Sequence, residues 1–211
     1  MSSPEQGAER PRRLLVVLGG AREGGLCKYL ADSLVADLEA AGAEWRLQDL
    51  LADGFDPVLR LGADERHATE CDPATEPLTA RYQADVRWAD AYIIVHPVWW
   101  FAPPAILKGW VDRVFVHEVA LRQADGGAPE GLLAGRSALV VQTFNAGRAI
   151  DRLAFLGISS SFWKRAVFLP VGIKKVGRLA LYEVEDIAEA RLARFCTRLG
   201  RAVGALASSA R

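Results

Sequence analysis

The feature that most constrains this chain is the run Arg13–Leu18 (RLLVVL), apolar after its first residue and closed by Gly19 and Gly20. A strand with one wet face alternates apolar and polar residues. One that is apolar throughout must be covered on both faces, as at the centre of a parallel sheet. Residues 91–95 (AYIIV) and Ser137–Thr143 (SALVVQT) are of the same kind, with helix-period segments between them. Leu26, Leu30, Leu34, Leu38 and Ala41 share one helical face, and Gly42 is placed to end that helix. Strand and helix in alternation are the mark of a sheet with helices on both faces.

The remaining elements extend this reading. Residues 44–51 alternate weakly and read as a second strand, followed by an irregular Asp-, Gly- and Pro-rich stretch at 52–74. Helices are expected over 75–88 and from Pro104, the latter with Leu107, Trp110, Val111, Val114 and Phe115 at core spacing. A fifth strand is expected at 165–173 (RAVFLPVGI) and a closing helix at 184–206. The fold class is therefore α/β: a doubly wound sheet of five parallel strands, in flavodoxin-like order. Residues 1–11 read as a disordered extension and 12–207 as one domain.

Composition excludes several function classes. With 26 basic and 26 acidic residues, the chain lacks the cationic excess of a dedicated nucleic-acid binder. No apolar run is long enough for a membrane-spanning helix, so no membrane insertion is expected. Three cysteines with neither a CxxC pair nor metal-ligand spacing suit a reduced, cytoplasmic protein without a bound metal.

In an open parallel sheet, ligands bind beyond the carboxyl ends of the strands, where the strand order reverses. Three loops should meet there. The first contains Gly20, Arg22, Gly24, Gly25, Leu26 and Cys27. Its glycines let amides approach an anion at a helix N-terminus, although the same sequence also suits a plain flexible turn. The second carries Pro97, Val98, Trp99, Trp100 and Phe101 before Pro103 and Pro104. Three adjacent aromatics on a proline-stiffened loop suit a flat ligand that stacks on rings and bonds to amides, which points to a flavin. A ligand-free aromatic cluster is the plainer reading. The third, Thr143, Phe144, Asn145, Ala146 and Gly147, is suited to rim a planar heterocycle, or simply to end a strand.

With these residues placed, the chain resembles the NAD(P)H:quinone oxidoreductases of flavodoxin-like fold. The likeness is sharpest in Ala89-Asp90 and in residues 97–115 (PVWWFAPPAILKGWVDRVF), and extends weakly over 12–200. The resemblance implies a flavin, FAD favoured over FMN, reduced by NAD(P)H and reoxidised by a quinone or similar acceptor in ping-pong hydride transfer. Residues 97–101 would then lie against the ring, residues 143–147 would complete its site, and residues 20–27 would hold the phosphate. No side chain is assigned as catalytic. It also implies a homodimer with the flavin site at the interface. Two departures stand out: Gly24, Gly25 and Cys27 occupy positions where relatives use hydroxyls and an Asn, and residues 148–156 lack the Tyr and His of diaphorase-type members. Phe144-Asn145 and Phe162-Trp163-Lys164 look closer to another bacterial group. The alternatives are an ancillary flavoprotein of a membrane transport system and a degenerate scaffold without flavin.

Other residues have plainer expected roles. His96 and His117 read as capping or structural histidines, Lys108 and Asp112 as a helical ion pair, and Trp45, Trp88 and Trp110 as core or interface. Cys27, at a helix start, is a place where a thiol pKa can be lowered. The cluster Arg10, Arg12 and Arg13 reads as a solvated arm.

Overall fold

A computed structural model describes residues 11–61, 68–123 and 127–208. The elements in chain order are β1 (Arg13–Leu18), α1 (Leu26–Ala40), β2 (Glu44–Asp49), α2 (Pro77–Trp88), β3 (Ala91–Pro97) and α3 (Ala105–Val114). A two-residue hairpin follows, β4 (Leu121–Arg122) with β5 (Glu130–Gly131), then β6 (Ser137–Thr143), α4 (Ile158–Ser161), β7 (Lys175–Leu181) and α5 (Glu189–Ser208). Five strands pair in the order β2-β1-β3-β6-β7, every pairing parallel. The expected doubly wound sheet is present. Most of the 1–11 extension lies outside the described residues.

Burial explains which strands were plain in the sequence. β1, β3 and β6 are buried almost throughout, whereas the edge strands β2 and β7 alternate between exposed and covered residues. One face of the sheet packs against α2, α3 and residues 163–173; α1 and α5 cover the other.

The fifth strand is not where it was expected. Residues Phe162–Phe168 are wide-turn helix, and the strand is Lys175–Leu181. Trp163, Val167, Phe168 and Val171 are buried at helical spacing, and in sequence such a one-sided apolar face resembles a strand buried on both sides. The true strand, KVGRLAL, lies at the edge and carries a Lys, an Arg and a Gly, which hides its period. The closing helix starts at Glu189 rather than near 184, because the Val184 amide still bonds back to the Phe144 carbonyl at 3.1 Å. Nor is Arg12 a solvated arm: its guanidinium donates to the Leu206 carbonyl at 2.9 Å and to Ser137 Oγ at 2.7 Å. Arg13 belongs to β1, and Arg10 lies outside the described residues.

Helix α3 lies so close to residues 56–57 that a Cβ added at Gly109 would meet the Pro57 carbonyl oxygen at 2.2 Å. Gly109→Ala gains roughly 1 kcal/mol of helix propensity but forces backbone apart. Overpacking of this kind costs about 1–3 kcal/mol. Urea unfolding should therefore show the variant less stable than the wild type by up to about 2 kcal/mol; an increase in stability would remove the close approach as a constraint.

Candidate functional site

The three loops converge, and named contacts hold them together. β3 and β6 pair in parallel with Pro97 opposite Thr143, so both strands end at the same level. The Val98 amide donates to the Thr143 carbonyl at 2.9 Å, joining the second loop to the third. Cys27 Sγ lies 3.3 Å from Thr143 Oγ1, which joins the first loop to the third. The Gly19 amide donates to the Val95 carbonyl at 2.9 Å. At Gly20 (φ +80°) a Cβ would sit 2.8 Å from the Pro104 ring, so the first loop is pressed against the start of α3.

A cleft of about 260 Å³ opens between the second and third loops, lined by residues 97–101 and 143–146. Trp99 and Ala102 exchange two backbone hydrogen bonds, each 3.0 Å, around a two-residue turn. Both central residues, Trp100 (φ +50°) and Phe101 (φ +58°), are left-handed. That conformation costs a non-glycine residue roughly 1–2 kcal/mol, yet Trp100 is 97% exposed and gains nothing from packing. Phe101 stacks on Phe155 with ring centres 3.5 Å apart and planes 12° apart. Among the described residues, the amides of Trp100, Phe101, Asn145 and Ala146 donate to no protein acceptor.

The side chain of Phe144 turns away from the solvent: it is buried, tilted against Tyr182 with ring centres 4.8 Å apart, with Arg178 5.4 Å above its ring. It therefore forms the back wall of the cleft. Gly147 does not line the cleft; a Cβ there would meet Glu183 Oε1 at 3.5 Å. Nor do Gly20, Arg22, Gly24, Gly25, Leu26 and Cys27, which form a separate rim beside it. In that rim the Gly25 amide donates to the Arg22 carbonyl, and the first intrahelical bond runs from Tyr29 to Gly25. No side chain caps α1, so the amides of residues 26–28 are open at its positive end. Cys27 is no activated thiol: burial raises its pKa to about 11, and it remains neutral.

The sequence did not reveal the polar network behind the cleft. His96 is fully buried at the end of β3. Its Nδ1 donates to the Pro97 carbonyl at 2.7 Å, and its Nε2 accepts from Trp163 Nε1 at 2.9 Å. Gln142 donates to Ser159 Oγ at 2.6 Å and accepts from Arg178 Nε at 2.6 Å. Arg178 also reaches Asp151 Oδ2 at 3.1 Å, and the Tyr182 hydroxyl donates to the same oxygen at 2.8 Å. The network clamps the helical segment 148–164 to the sheet and so sets Phe155 over Phe101. Its one visible sign in the sequence was a glutamine inside the apolar run SALVVQT. The expected ion pair Lys108–Asp112 is present at 2.6 Å, and Trp110 is fully buried.

The family described as flavodoxin-like fold matches residues 12–201. An FMN-dependent NADH:quinone oxidoreductase from Alkalilimnicola ehrlichii is 32% identical over 166 residues, covering 70% of this chain and 82% of that protein. A ribosyldihydronicotinamide dehydrogenase-like protein of Penicillium crustosum is 43% identical over 68 residues, covering 29% of this chain. That match spans only about a quarter (26%) of the fungal protein. A crystal structure from Streptococcus mutans superposes with a TM-score of 0.77 at 26% identity, covering 91% of this chain and 98% of that one.

Burial pushes the His96 pKa down to about 4, below the roughly 6.5 of an unfolded histidine. As pH falls through 6.5 toward 4 the unfolded chain takes up a proton that the folded one refuses. Stability is therefore lost in that window, at up to about 1.4 kcal/mol per pH unit from this group. His96→Asn should be less stable at pH 7 and should lack this part of the slope in denaturant titrations between pH 4 and 7. An equal slope in both proteins would show that His96 is not held neutral.

Proposed function

The chain belongs to the flavodoxin-like family, and on that premise we propose that it is a flavin-dependent NAD(P)H:quinone oxidoreductase. The observation that carries this reading is the meeting of the three loops: two wall a cleft with four unpaired amides and a strained aromatic turn, and the first forms a rim beside it. Strain of this kind persists only where the surroundings impose it, and it concentrates at ligand clamps.

The residues present fit a flavin. Pro97, Val98, Trp99, Trp100 and Phe101 form one wall, and Thr143, Phe144, Asn145 and Ala146 the other. The unpaired amides of residues 100, 101, 145 and 146 suit the polar edge of the ring, where fixed donors stabilise negative charge without reorganising. The amides of residues 26–28 suit its phosphate, in place of the hydroxyl side chains used by relatives. When bound, the flavin supplies a ring that takes up two electrons from the reductant and passes them to the quinone. The chain supplies orientation, dipoles and exclusion of water. With no general base required, the neutral His96 and Cys27 need no part in the chemistry.

By this reading the flavin is FMN rather than the FAD expected from the sequence, since the Alkalilimnicola relative is named as FMN-dependent. The protein acts as a cytoplasmic homodimer. Support for the dimer comes from exposed apolar side chains: Trp100 at the rim of the cleft, 97% exposed, and Leu153 and Leu156, which flank the Phe155 that stacks on Phe101 and are 78% and 84% exposed. A second copy covering this rim would bury it and close the cleft from water.

The purified protein should be yellow, with absorption near ~370 and ~450 nm, and should release FMN on denaturation. Quinone-dependent NAD(P)H oxidation should give parallel double-reciprocal lines. A colourless protein that neither FMN nor FAD reconstitutes overturns the proposal. Trp100→Gly should leave stability unchanged or raise it by up to about 1 kcal/mol, because glycine relieves the positive φ. The same variant should lower kcat/KM for the quinone about tenfold, equivalent to roughly 1.4 kcal/mol. Full activity would remove the turn from the site.

A further inference from the structure

Behind the cleft lies a larger cavity, of about 700 Å³, that runs across the outer edge of β7. Its lining is strongly cationic. Arg148, Arg152 and Lys164 come from the segment clamped by the buried network, Arg178 from β7, and Arg191, Arg194 and Arg198 from α5. Among the described residues, no carboxylate lines it. The chain as a whole has as many acidic as basic residues, so this concentration is local and not a consequence of composition.

Most of these charges have no ion-pair partner among the described residues. Arg178 pairs with Asp151, and Arg191 donates to the carbonyls of Tyr182 and Glu183. Among the described residues, Arg148, Arg152, Lys164, Arg194 and Arg198 form no ion pair. Arg148 and Arg152 are four apart on a helical segment, as are Arg194 and Arg198 on α5, and like charges at that spacing repel. A cavity that gathers unpaired guanidinium groups against their repulsion suits a ligand with several negative charges. Guanidinium groups favour phosphate in particular, because their paired donors match its oxygens.

The position of the cavity narrows the ligand further. Phe144 and Tyr182, in tilted ring contact at 4.8 Å, separate the two spaces: Phe144 lines the cleft and Tyr182 lines the cationic cavity. Arg148 follows the third loop directly, one residue after Gly147. A molecule with its ring end at the cleft and its phosphates a few residues away along that loop would reach both.

We propose that this cavity binds the phosphate groups of the nicotinamide dinucleotide reductant while its nicotinamide meets the flavin at the mouth of the cleft. The inference rests on the quinone-oxidoreductase reading. It assigns Arg148, Arg152, Lys164, Arg194 and Arg198 to recognition of the reductant, and gives the 2′-phosphate of NADPH more cations to meet than NADH uses. The adenylate half of FAD carries the same phosphate chemistry, so the test separates the two sources.

The test compares three reductants with one quinone: NADPH, NADH and ribosyldihydronicotinamide, which carries no phosphate. Arg194→Glu and Arg198→Glu, singly and together, should raise KM for NADPH about tenfold per charge reversed, and for NADH less, relative to KM for ribosyldihydronicotinamide. Arg201→Glu, the same charge change on α5 outside the cavity, should leave those ratios as in the wild type. In the wild type, raising salt from about 20 mM to about 300 mM should also raise the NADPH-to-ribosyldihydronicotinamide KM ratio, since screening acts on the phosphate-bearing reductants. This second measurement needs no variant to fold. Unchanged ratios, or equal shifts for all three reductants, overturn the assignment while leaving the quinone-oxidoreductase reading intact. Loss of flavin from the R194E/R198E variant with unchanged ratios assigns the cavity to the cofactor and overturns it as well. Absence of turnover with every reductant on the flavin-loaded wild type overturns both readings.

Discussion

The register of β3 against β6, which sets Pro97 opposite Thr143, is the constraint on which the rest of the site depends. Because both strands end at one level, the chain leaving β3 can bond back through the Val98 amide to the Thr143 carbonyl. Thr143 then serves both neighbours, since its hydroxyl meets Cys27 at the start of α1. A slip of one residue would reverse every side chain of a strand buried on both faces. It would also separate the three loops. The apolar uniformity of β1, β3 and β6 therefore does more than fill the core: it fixes the level at which the cleft is built.

The same physics explains how much could be read from sequence. Central strands are legible because burial on both faces leaves no room for polar residues, and this gave β1, β3 and β6 close to their bounds. The parallel sheet and its order followed from their alternation with helices. Edge strands carry no such demand. β7 tolerates Lys175, Arg178 and Gly177, so its signal was weaker than that of the helical segment before it, whose Trp163, Val167 and Phe168 crowd one face. Of the candidate site, the loops and their residue types were legible because glycine, proline and aromatic runs are local signals. The cationic cavity and the buried polar network were not. Arg148, Arg178 and Arg194 are far apart in sequence and meet only across the edge of the sheet.

The network behind the cleft carries a cost that the fold has to offset. His96, Gln142, Ser159 and Asp151 are buried, and an unsatisfied polar group in such surroundings costs about 1–3 kcal/mol. Here nearly every donor and acceptor is met, with Asp151 Oδ1 the exception among its atoms. What the network adds is position. Bulk hydrophobic packing would hold the segment 148–164 near the sheet without fixing its rotation. The bonds from Arg178 to Gln142 and Asp151, and from Trp163 to His96, leave it one orientation. That orientation puts Phe155 on Phe101 at 3.5 Å, so the second loop is braced from outside the sheet.

Bracing is needed because the Trp100–Phe101 turn is strained. Two aromatic residues in the left-handed region oppose folding by a few kcal/mol between them, and one of the two is almost wholly in water. Proline at 97, 103 and 104 limits the alternatives open to the unfolded loop, and the Phe101–Phe155 stack recovers part of the cost in the folded one. Nothing within the described chain rewards the exposure of Trp100. A side chain held outward at an energetic cost, beside unpaired amides and at the mouth of a cleft, gains its contacts from something outside the chain. The turn, the network that braces it and the cations on the far side of Phe144 are thus parts of one arrangement, with Phe144 and Tyr182 as the shared wall between a stacking site and an anion site.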